Sequence, residues 1–259
     1  MHARGPTRIG RGLAAADLYR GLRDVAGAPF ALLHCRDYVG ALRLPVAANA
    51  VVFAALALGA WLIVAPAYAR AFAGEWWLFD GLRRSRADTG PAIWLLTTWL
   101  LIGPSVLDTA IGALHEPLRV ITERAMLGPP RSATAEPPRL RLRERARILG
   151  LALLALPPCL VLALVPWLGL PIVCVVGAVL AAVVWFEPPM AARGLDLRAR
   201  LDVLQDNRWR ALGVGAGIQL AAAVPFVNLL ALSACATVAA TSAYLQFDKK
   251  RVGPNAAVG

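Results

Sequence analysis

Charge-free apolar runs alternate with arginine-rich connections along this chain, and the runs are of two kinds. The first kind fits one helix. Residues 44–69 are uncharged for 26 residues, long enough to cross a bilayer with some tilt. A second run begins at Pro91 and stays uncharged to Leu107. Its apolar stripe continues through Ile111, Leu114, Leu118 and Ile121, while Asp108, His115, Glu116, Arg119 and Glu123 share the other face. This pattern predicts a span over 91–113 that leaves the membrane as an amphipathic extension to 127, kinked at Pro104 and Pro117.

The second kind is too long for one helix. Residues 148–186 and 211–244 hold no charge over 39 and 34 residues. At about 1.5 Å per residue, even the shorter would make a helix of about 51 Å, against a hydrocarbon core of about 30 Å. Each is broken near its middle by proline: Pro166-Trp167-Leu168-Gly169 in the first, Pro225-Phe226-Val227-Asn228 in the second. Both are read as short arm, proline turn, short arm. Such a hairpin is either re-entrant or a pair of minimal spans. A backbone break at membrane depth is tolerated only against protein or water. Pro166, Gly169 and Pro225 are the candidate structural turns, with Asn228 placed to cap the second arm of its hairpin.

The fold class expected is all-α and integral to the membrane: two long transmembrane helices, two Pro-broken hairpins (148–186 and 211–244) and amphipathic interfacial helices. Residues 1–252 form one membrane domain and 253–259 a disordered tail. Within 1–43 the pattern predicts a surface helix broken at Gly27-Ala28-Pro29, and no apolar core of a cleavable signal. The stretch 139–147 alternates arginine as a strand would, but it runs into an apolar block with no turn signal, so it is read as helix.

Composition narrows the class. The chain is 58% hydrophobic and carries a net charge of +11. The basic residues sit between apolar runs, where anionic headgroups and the positive-inside rule account for them, so nucleic acid is not an expected partner. Of 27 Lys and Arg, only Arg70, Arg83, Arg84 and Arg86 fall within 70–90. Placing that loop outside and the rest inside puts both termini in the cytoplasm. The four cysteines and three histidines show no ligand spacing, and no nucleophile, base and orienter line up. No metal, cofactor or enzymatic activity is expected.

Several short pieces, in order, carry a resemblance. These are Leu44-Pro45-Val46-Ala47-Ala48-Asn49 at the first span, Leu118 to Gly128 at the amphipathic exit, Pro166-Trp167-Leu168-Gly169 at the first turn, Phe186-Glu187-Pro188-Pro189 after it, and Val224-Pro225-Phe226-Val227-Asn228-Leu229 at the second turn. Together they resemble the CysZ-type sulfate permeases of the etoposide-induced protein 2.4 superfamily. The resemblance implies two long membrane helices, two half-penetrating hairpins, a homo-oligomer, and uptake of sulfate across the inner cell membrane. The basic stretch before the first span reads Gly40-Ala41-Leu42-Arg43 here and keeps one arginine, while Leu170 and Pro171 follow Gly169 where those permeases carry small polar residues. The substrate-binding candidates are Arg43, Asn49 and Asn228. Arg43 also suits an interface side chain that snorkels, and Asn49 an interhelical hydrogen bond. The partners expected are the lipid bilayer, an inorganic anion such as sulfate, and further copies of the chain. The other reading is a membrane scaffold or regulator of the same superfamily that transports nothing.

Overall fold

A computed structural model describes residues 11–34, 36–73, 89–127, 138–165, 167–222, 224 and 232–252, and every regular element among them is helical. Among the described residues, three helices are long and apolar enough to cross a membrane: Asp37–Arg70, Arg145–Ala163 and Gly169–Ala191. The predicted tail 253–259 lies outside the described residues.

Helix α1 (Arg11–His34) runs through Pro29 without the expected break. Tertiary packing overrides the breaker signal. Val25, Ala28 and Leu32 enter the core, while Tyr19 and Phe30 stay exposed on the other side. The apolar face of this amphipathic helix therefore meets protein.

Helices α2 (Arg36–Gly59) and α3 (Ala65–Ala73) are one rod joined by a π-helical turn at Ala60–Val64. Pro66 explains the turn. It has no N–H for the Leu62 carbonyl, and the ladder widens by one residue upstream, with the Ala65 N–H reaching Ala60. Helix α4 (Gly90–Ile111) tightens into a 3-10 turn at Gly112–His115 before α5 (Glu116–Leu127) begins. The sequence reading had one kinked helix here. Pro117 cannot donate to the Ala113 carbonyl, and a tighter turn replaces the missing α-helical bond.

Helices α6 (Pro138–Ala163) and α7 (Gly169–Ala191) form the first hairpin. The arginine-rich stretch 139–147 is helical, as read. Pro157 and Pro158 lie inside α6 on its exposed side and do not end it. After α8 (Leu197–Asp206), whose Asp196 side chain accepts from the Ala199 N–H at 2.8 Å, come α9 (Arg208–Ala222) and α10 (Leu232–Val252), the arms of the second hairpin.

The two hairpins occupy different places. Helices α9 and α10 are central, packed by α1, α5 and α7, and nearly every described side chain of α10 is buried. Glycines let the backbones approach. A side chain at Gly213 would strike the Leu18 carbonyl of α1, and one at Gly215 the Ala178 carbonyl of α7. So α9 sits between two helices on two small faces, at a separation that only glycine allows. The first hairpin is peripheral: Leu151, Leu153, Leu154, Val175 and Val179 all face outward.

Candidate functional site

The sequence of α10 places Ser233, Thr237 and Thr241 four residues apart, so their hydroxyls share one helical face, and all three are buried. Ser233 Oγ donates to Asn49 Oδ1 of α2 at 3.3 Å. Thr237 Oγ1 donates back to the Ser233 carbonyl at 2.9 Å. The Thr241 hydroxyl has no hydrogen-bond partner among the described residues. The buried Tyr38 hydroxyl of α2 meets that of Thr122 of α5 at 2.9 Å.

A second polar group reaches the interior from α9. Gln219 Nε2 donates to the Leu100 carbonyl of α4 at 2.6 Å. That carbonyl needs an outside donor, because the residue four positions on is Pro104, which has no N–H. Water is scarce at this depth, and a side chain from the next helix makes up the deficit. Among the described residues, Gln219 Oε1 and the hydroxyl of Thr97, one turn before Leu100 on α4, are buried without hydrogen-bond partners.

Further along α4, Asp108 pairs with Arg145 of α6 at 3.2 Å, and a side chain on Gly112 would collide with both. His115, at the end of the 3-10 turn, lies edge-on to Trp185 of α7 with ring centroids 6.4 Å apart. Burial pushes its imidazole down to about 4. Among the described residues, Trp185 Nε1 and the Ser105 hydroxyl are buried without hydrogen-bond partners.

Arg210 of α9 binds Asp24 of α1 at 2.6 Å, Arg200 binds Glu187 at 3.3 Å, and Arg119 holds Glu116 and Glu123. Burial raises the Asp24 carboxyl against the opposing pull of Arg210. Asp108, Glu123 and Glu187 are buried and Asp24 is half-buried, each beside a guanidinium, so these interior carboxylates carry little unbalanced negative charge. Among the described residues, the Thr97, Ser105 and Thr241 hydroxyls, the Gln219 amide oxygen and the Trp185 indole are buried with spare hydrogen-bonding capacity. Among the described residues no three metal-ligating side chains come together.

The sequence candidates fall in different surroundings. Asn49 is 1% exposed and joined to the second hairpin through Ser233. Arg43 is on the same helix but exposed, so the two do not share an environment. Gly169 is the first residue of α7 and packs on the backbone of Leu162 and Ala163. Pro166, Pro225 and Asn228 lie outside the described residues. Sequence reasoning passed over the hydroxyl column of α10, Gln219 and Trp185. The four-residue spacing of Ser233, Thr237 and Thr241 in a charge-free run was the available signal for the column. A lone glutamine in such a run, with a proline in another to orphan a carbonyl, was the signal for Gln219.

A family model described as sulfate transporter CysZ/etoposide-induced protein 2.4 matches residues 27–233 of the chain. No curated protein matches the chain.

Proposed function

The chain belongs to the family of sulfate transporter CysZ and etoposide-induced protein 2.4, and from that premise we propose that it is a permease for sulfate or a closely related oxyanion. The observation that carries this reading is the buried column Asn49–Ser233–Thr237–Thr241 against the central hairpin. An oxyanion accepts hydrogen bonds and donates none at neutral pH. Hydroxyls turn to donate, and the amides opening α10 at Leu232 add the positive end of a helix dipole. The buried carboxylates of Asp108 and Glu187 are each paired with an arginine, which offsets their repulsion of an anion.

In this reading Arg43 attracts the anion at the membrane surface, while Asn49 and Asn228 meet it within. Pro225 and Pro166, with Gly169, set the hairpin turns. The protein resides in the inner cell membrane with both termini in the cytoplasm and works as an assembly of several copies. Transport moves the anion without chemical change, so no catalytic residue is assigned.

The test is binding of sulfate, sulfite and molybdate to purified protein in detergent. The reading expects saturable binding of at least one of them, weakened by Arg43→Ala and by Asn49→Ala. A protein that binds none of the three, or variants that bind as the parent does, would remove it.

A further inference from the structure

Helix α2, the π-helical turn and α3 make one rod, yet its two ends are moored to different parts of the protein. Before the turn, the rod belongs to the central core. The Tyr38 hydroxyl meets that of Thr122 of α5 at 2.9 Å, Asn49 accepts from Ser233 of α10, and Val52 and Leu56 pack against the same core. After the turn, the rod joins a separate small cluster. There Tyr68 of α3 packs with Trp94 of α4 and with Leu160 and Leu164 at the end of α6.

The second mooring is directional as well as apolar. The Thr98 hydroxyl donates its one proton to the Trp94 carbonyl at 2.8 Å, so the Tyr68 hydroxyl, 2.6 Å from Thr98 Oγ1, is the donor between the two. The Tyr68 ring lies edge-on to Trp94 with centroids 5.2 Å apart, and Trp94 Nε1 donates to the Leu160 carbonyl of α6 at 2.9 Å. One side chain of α3 is thus bonded into a relay that runs through α4 to α6. Between the two moorings stands the π turn Ala60–Val64, with Pro66 just beyond it. Proline withholds one ladder bond there, and helices bend where the ladder is interrupted. A shift of α4 and α6 against the central core therefore reaches the rod as bending at this turn.

We propose that α3 is a hinged arm, with the π turn as its joint and the Tyr68–Thr98 hydrogen bond as the latch that holds it against α4. The latch suits reversible opening. It joins two neutral hydroxyls, and such a bond breaks and remakes at little net cost. From Ala65 to Ala73 the arm rises about 12 Å, so a bend of about 20° at the joint carries its end about 4 Å. In a permease, this motion opens and closes the space between α3 and α4. The device itself stands whether or not the chain conducts sulfate, because it is read as a distance and not as a flux.

Distances between spin labels test it in the full chain. Cys35 and Cys174 are replaced by alanine, and the buried Cys159 and Cys235 stay in place. Labels at Ala69→Cys and Ala92→Cys read the arm against α4, and labels at Ala54→Cys and Ala92→Cys read α2 against the same point; all three positions are exposed. Labelled protein is diluted with unlabelled protein before reconstitution in vesicles, so that only distances within one copy are read. The latch is removed by Tyr68→Phe and, separately, by Thr98→Val in case the first variant folds poorly. The expected result is a second, longer population for the arm pair, its share raised about fivefold over the parent by loss of one hydrogen bond, with the α2 pair unchanged. An arm distance that stays as in the parent would overturn the latch. Equal lengthening of both pairs would overturn the joint, since the rod would then move as one piece.

Discussion

Gln219 shows how a single side chain is committed by a proline on another helix. Its amide supplies the hydrogen bond that Pro104 withholds from the Leu100 carbonyl. Gln219→Leu keeps the volume but leaves that carbonyl unpaired and dry, a loss of about 1–3 kcal/mol. The thermal midpoint of the purified variant should fall, and an unchanged midpoint would show that the bond contributes nothing net. His115 makes a prediction about pH. Its folded imidazole is held down to about 4, against an ordinary 6.5, because burial disfavours the charged form. Between those values the unfolded chain binds more protons than the folded one. The neutral ring thus costs nothing above 6.5, and stability declines as the pH falls from 6.5 toward 4. His115→Phe, packed against Trp185, should flatten that part of the curve of melting temperature against pH. A variant curve parallel to the parent's would contradict the assignment.

Between elements, the Asp108–Arg145 pair ties the end of α4 to α6. Removing one partner strands the other as a buried charge, at about 3–5 kcal/mol. Asp108→Ala should therefore destabilise more than Asp108→Ala combined with Arg145→Met, as chemical denaturation in detergent would read. Close backbone approach gives a second expectation. Gly215→Leu places a side chain on the Ala178 carbonyl, which has no soft atom to yield, so α9 and α7 must part and the variant should fail to accumulate in the membrane. Much at this scale was legible from pattern. Uncharged runs gave the helices, and 139–147 read as helix because no turn separates its arginines from the apolar block. What was not legible was what each helix packs against. The break expected at Pro29 does not occur, since Val25 and Ala28 of α1 are held in the core. The two hairpins share a plan in sequence, yet Gly213 and Gly215 bury one while outward leucines expose the other. Local pattern encodes the arm and the turn, but the cover comes from residues far along the chain. The site shows the same limit. Asn49 was legible as the polar residue of its span, but its partner Ser233 is 184 positions away.

For the whole molecule, the excess of arginine between the apolar runs has two separate uses. Arg119, Arg145, Arg200 and Arg210 are turned inward to neutralise carboxylates. Arg23, Arg124, Arg147, Arg198 and Arg208 stay exposed, available to headgroups. Orientation rests on the second group, and a reporter active only in the cytoplasm should be active when fused to the C-terminus. The central claim is that this scaffold conducts an oxyanion past Asn49 and the α10 hydroxyls, and influx of labelled sulfate into protein-bearing vesicles tests it most directly. The account predicts influx above that of empty vesicles, reduced about fivefold by Asn49→Ala if one hydrogen bond of about 1 kcal/mol is lost on the path. Influx no faster than through lipid alone would contradict it.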